Sequence, residues 1–183
     1  MTTMPTLTNH PAPVAVVDLI SSLLESTVNS IFRFIEEGSP HVSRATVEIR
    51  RPLQEMVVAN HRRAGELAAL LESLGGQPTV QSTVSPDEQY LAFLSLKFLL
   101  PKLVGEKKLC LQHYDNALEG VKRLPQVPPE VPALFTRHRE QQRQELAALE
   151  AAAAHVAALR DGKKDPTKSA AGQAGPAAGP AAR

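Results

Sequence analysis

Glu66-Leu-Ala-Ala-Leu-Leu-Glu-Ser-Leu-Gly-Gly-Gln-Pro78 reads as a strong helix that stops at a glycine pair and is followed by a proline. Glycine takes the left-handed conformation of a helix C-cap without a Cβ clash, and Pro78 forbids the helix to resume. Upstream, Leu53, Val57, Asn60, Ala64, Leu67, Leu71 and Leu74 fall on one stripe of the same helix. Long segments of three- and four-residue apolar periodicity lie on both sides, which makes the chain all-α and predicts an antiparallel bundle of four helices.

The first helix is expected over 14–37, where Val17, Ile20, Leu24, Val28, Ile31 and Ile35 recur at helical steps, and Gly38-Ser39-Pro40 ends it. Residues 43–51 also read as helical, so Pro52 either kinks that segment or begins a new helix. Ser85-Pro86-Asp87-Glu88 has the form of a helix start, and the third helix is expected from there to about Val121, kinked at Pro101. The four prolines of residues 124–132 suggest a linker. The fourth helix is expected over about 133–160. Short loops make an up-down-up-down order the economical one, the segment after Pro78 being short for a crossing. Residues 1–13 and 161–183 have the composition of disordered tails, the second rich in Lys, Pro, Gly and Ala, with Lys163, Lys164 and Lys168 as expected sites of proteolysis. The bundle is thus assigned to residues 14–160 as one domain.

Composition removes several classes of function. Twenty basic against 19 acidic side chains give a net charge of +1, and aromatics are 4% of the chain without a tryptophan. Neither an electrostatic footprint for nucleic acid nor a stacking platform follows from that, nor a polybasic face for anionic lipid. No apolar run is long enough to span a bilayer. A single cysteine, Cys110, precludes an intrachain disulfide, and residues 1–13 hold no Lys or Arg. These features fit a cytoplasmic protein. Phosphate-cradling glycine loops, nucleophile elbows and zinc spacings are missing from the sequence.

The polar residues on the apolar stripes are the candidate site. Asn60 lies on the stripe of the second helix and Arg63 is one turn on. His138 and Gln142 fall within the seam set by Phe135, Leu146, Leu149, Ala153 and Val156. Lys107 points inward with Leu111, Tyr114 and Leu118, while Glu106 and, on the first helix, Glu25 sit at the edges. A buried neutral polar group without a partner loses about 1–3 kcal/mol, so these residues are expected to meet in one layer. Cys110 reads as a buried structural thiol; His113 and His155 read as packed or solvated flank residues.

Leu23-Leu24-Glu25 followed by Val28-Asn29-Ser30-Ile31-Phe32 resembles the first helix of bacterioferritin-type proteins, in which the Glu is an iron ligand. The Leu-Gly-Gly-x-Pro ending is similar to that of the second helix in ferritin-like proteins. Gly105-Glu106-Lys107-Lys108 with His113-Tyr114-Asp115-Asn116-Ala117-Leu118 is similar to the third helix of an uncharacterised ferritin-like bacterial family. The resemblance, which extends to the rubrerythrin type, covers about residues 15–160. It implies a ferritin-like bundle and a dimetal site built from two Glu and two Glu-x-x-His motifs. Aligned on the Leu-Gly-Gly-x-Pro ending, those motif positions hold Asn60 and Arg63 on the second helix; the fourth-helix pair falls near Glu140 and Arg143. A degenerate di-iron site follows. The expectation is a non-catalytic bundle, structural or partner-binding, without a cofactor, in which Glu25, Asn60, Arg63, Glu106, His138 and Gln142 form a polar layer beside which Arg63 meets Glu25 or Glu106. The alternative is an iron or manganese carboxylate protein that uses Glu25, Glu106, His138 and His61. A homo-oligomer or a protein partner is compatible with either.

Overall fold

The computed structural model describes residues 14–37, 46–80, 91 and 94–161, and these are all-helical apart from turns and loops. Helix α1, Val14–Val28, buries Val16, Ile20, Leu23, Leu24 and Thr27, and α2, Phe32–Glu37, follows it after a break. A 3-10 turn, Val47–Ile49, leads into α3, Arg50–Ser73. Helix α4 spans Leu96–Lys122 and α5 spans Glu130–Asp161.

The expected single helix over 14–37 is two helices, for a local reason and a tertiary one. Thr27, Val28, Asn29 and Ser30 are weak helix formers: Val28 is β-branched, and the short polar side chains of the other three compete for backbone groups. Asn60 Nδ2 donates to the carbonyl of Thr27 at 3.0 Å and to Ser30 Oγ at 3.2 Å. It thereby takes the carbonyl that a continuing helix would use four residues later.

Pro52 begins α3 without bending it, since the first turn needs no donor at that position. Pro101 lies inside α4 on its exposed side, and the helix runs through it. Pro132 sits in the first turn of α5, so this helix starts at Glu130, inside the expected linker. The expected start at Ser85 lies outside the described residues, as do both expected tails apart from Asp161; among those described, α4 starts after Ser95. At the end of α3, Gly75 has φ +82°, Gly75 N–H donates to Glu72 O at 3.0 Å and Gly76 N–H to Leu71 O at 2.9 Å. This is the doubly bonded glycine cap expected from Leu74-Gly75-Gly76.

Helix α1 packs on α3 and α4, and α5 packs on the same two. Two apolar clusters fill the interior. One joins Leu53, Met56 and Val57 with Leu96, Leu99, Leu100 and Leu103, capped by Leu149 and Val156. The other joins Val16 and Ile20 with Leu67 and Leu71, Tyr114, Ala117 and Val121, and Val131 and Phe135. Helices α3 and α4 therefore both run from the first cluster to the second. The up-down-up-down order is excluded, since α4 starts at the end of the bundle where α3 starts.

Candidate functional site

Between the two clusters lies a charged layer to which each long helix brings side chains at the corresponding level. Helix α1 and the break after it supply Thr27 and Ser30; α3 supplies Asn60 and Arg63; α4 supplies Lys107 and Cys110; α5 supplies His138, Gln142 and Glu145. Arg63, Lys107 and His138 have side chains with 0% exposure. Gln142 and Asn60 are buried as well.

Glu145 is the centre of the layer. Arg63 Nη1 donates to its Oε1 at 2.8 Å and Nη2 to its Oε2 at 3.1 Å, a two-pronged pair. Lys107 Nζ makes a short bond to Glu145 Oε2, donates to Gln142 Oε1 at 2.6 Å, and lies 4.1 Å from the centroid of the Phe32 ring. One carboxylate thus faces two cationic side chains, and Arg63 Nε has no hydrogen-bond partner among the described residues. Burial pushes the Lys107 ammonium down from its ordinary value; Glu145 opposes that shift, and neighbouring Arg63 adds to it. The Cys110 thiol, buried beside these charges, is pushed up to about 11, chiefly by burial, and stays protonated.

A second chain of bonds leaves the layer toward solvent. Tyr114 Oη lies 3.1 Å from His138 Nδ1, and His138 Nε2 lies 2.7 Å from Glu66 Oε2. Arg137 Nη2 donates to the same Glu66 oxygen at 2.7 Å. With Nε2–H donating to the carboxylate, Nδ1 is left to accept the Tyr114 hydroxyl proton, so neutral His138 satisfies both neighbours. Burial holds His138 below the ordinary histidine range in spite of Glu66. The bond from His138 depresses the Glu66 carboxyl in turn, and burial raises the Tyr114 phenol.

The sequence-derived candidates are divided by this geometry. Asn60, Arg63, His138, Gln142 and the inward Lys107 are all buried; Arg63, Lys107 and Gln142 meet around Glu145, whereas Asn60 bonds to Thr27 and Ser30 and His138 to Tyr114 and Glu66. Glu25 is exposed on α1, so the carboxylate beside Arg63 is Glu145 of α5, in place of Glu25 or Glu106. Glu106 is half-buried one residue before Lys107, and His61 is exposed. The alternative metal set, Glu25, Glu106, His138 and His61, is not drawn together. No group of three or more His, Cys, Asp or Glu side chains among the described residues is arranged to hold a metal ion.

A dimetal centre fits this chemistry poorly. Guanidinium offers no lone pair, the ammonium would first have to lose its proton, and both oxygens of Glu145 are already engaged. The residues present do not suit iron or manganese at this level. Glu66 and Glu145 are the members that spacing alone missed. Each is partly exposed and belongs to a run of charges that looks like an ordinary helix face. Their signal was a demand: Arg63, Lys107 and His138 on inward stripes required acceptors from a neighbouring helix. Apart from Arg137 in the first, the open grooves on α5 (around Thr136 and Glu140), on α3 (around Val58) and between Ile49 and His155 are lined by other residues.

The chain matches no family model, no curated protein and no solved structure.

Proposed function

We propose that this chain is a ferritin-like four-helix bundle, with α3 and α4 parallel, that acts as a structural or partner-binding protein in the cytoplasm, with no catalysis of its own. In this reading a salt-bridged layer replaces a dimetal centre. One observation carries it: Glu145 is shared by Arg63 and Lys107 at mid-height of the molecule. The Arg63 guanidinium is a fixed cation, and together with the Lys107 ammonium it opposes a divalent ion by Coulomb repulsion, which in a low-dielectric interior is far stronger than in water. The same groups favour one helix register over a slipped one, which is the best-attested use of buried charge.

The ferritin-like part of the proposal is supported by the parallel run of α3 and α4. Ferritin-like bundles have one long crossover between two parallel helices, and here α3, with its Leu-Gly-Gly-x-Pro ending, is parallel to α4. No helix among the described residues is long and apolar enough to cross a membrane. The buried, protonated Cys110 is compatible with a reducing compartment.

The catalytic half of the reading is tested by adding ferrous iron to the purified protein in air and following ferric formation. The expected rate equals that of buffer alone. Faster oxidation that disappears in Glu145→Ala would favour an iron-handling carboxylate protein instead.

A further inference from the structure

The outward stripe of α3 has a charge order that complements itself. Arg51, Glu55, Val58, Arg62, Gly65 and Ala69 are all exposed and recur at three- and four-residue steps, opposite the buried stripe of Leu53, Asn60, Leu67 and Leu71. Val58 is 69% exposed at the centre of the stripe, in an open groove lined with Gln54, Glu55, Ala59 and Arg62. Gly65 would meet nothing within 4 Å if it carried a Cβ. An exposed helix-interior glycine costs about 1 kcal/mol relative to alanine and gains nothing here within one chain.

We infer that α3 is the interface of a two-fold homodimer in which the helices of two copies lie antiparallel, with the axis between Val58 and Ala59. That axis brings Glu55 opposite Arg62 of the second copy, Arg51 opposite its Glu66, and Gly65 opposite its Pro52. Val58 packs on Ala59 at the centre. Each charged contact occurs twice by symmetry, as an isologous interface requires. Within one copy these groups already form surface pairs, Arg51 Nε to Glu55 Oε1 at 3.0 Å and Arg62 Nε to Glu66 Oε1 at 3.9 Å. Such exposed pairs are weak, so Arg51, Glu55 and Arg62 can turn to a partner, while Glu66, whose Oε2 is held by His138 and Arg137, offers its Oε1. The balanced signs favour a second copy over an anionic surface, which would call for a uniformly basic stripe. The inference is independent of what occupies the core.

Sedimentation equilibrium of the full chain across a range of concentrations tests it. The wild-type chain is expected to dimerise, with an affinity that falls as salt is raised. Glu55→Arg alone, and Arg62→Glu alone, each set like charges opposite one another twice and are expected to weaken the dimer by more than about tenfold. Glu55→Arg/Arg62→Glu together restore opposite signs and should bring association back. Both side chains are exposed, and circular dichroism checks that each variant remains helical. A chain that stays monomeric throughout, single reversals that leave the mass unchanged, or a double reversal without rescue would each overturn the interface.

Discussion

Glu145 and Lys107 have unequal claims on the charged layer, and the inequality is measurable. Removal of one member of a buried charge group leaves the others uncompensated, at about 3–5 kcal/mol. Glu145→Leu strands both Arg63 and Lys107 and is expected to destabilise by that amount or more. Lys107→Met removes the surplus cation, already pushed toward neutrality by burial, and leaves the Arg63–Glu145 pair intact. It is expected to change stability by less than about 1.5 kcal/mol, the range of a volume-conserving swap. Equal losses in urea unfolding would mean that the cations share Glu145 evenly. His138 gives a pH signature. Its folded-state pKa lies below the unfolded value of about 6.5, so its contribution is complete above that pH and is lost as pH falls toward the folded value. The melting temperature should therefore drop between pH 7 and pH 5, and His138→Gln should flatten that slope. A slope unchanged in the variant would remove His138 from the account. The inward positions of Arg63, Lys107 and His138 were legible in the sequence because helical spacing fixes direction. Their partners were not, since pairing between helices depends on the relative height of α3, α4 and α5.

At the scale of elements, stop signals were read more accurately than interruptions. Leu74-Gly75-Gly76-Gln77-Pro78 caps α3 through its own backbone bonds, so its meaning is local. The break between α1 and α2 depends on Asn60, thirty-three residues beyond the Thr27 carbonyl it captures. Periodicity persisted across the break because Phe32 and Ile35 remain buried, and that continuity concealed it. Asn60→Leu is expected to destabilise by about 1–3 kcal/mol, as the Thr27 carbonyl and the Ser30 hydroxyl lose their donor in a dry setting. A chemical denaturation midpoint within error of wild type would show that α1 ends there for reasons of its own.

For the whole molecule, the sequence conveyed the all-helical class through stripe and cap, but not the order of the helices. Loop length favoured neighbours in an up-down-up-down sequence, while the apolar content at the helix ends decided otherwise: Leu96, Leu99 and Leu100 match Leu53 and Met56, not Leu67 and Leu71. That matching places α4 parallel to α3 and sets Lys107 level with Glu145. The charged layer is thus a product of the topology. The claim that it replaces a metal centre is tested most directly by elemental analysis of the protein purified after growth with ample iron and manganese. The account predicts far less than one metal per chain, because Arg63 and Lys107 oppose a divalent cation at the Glu145 carboxylate they share. Stoichiometric iron or manganese, lost on Glu145→Ala, would contradict it.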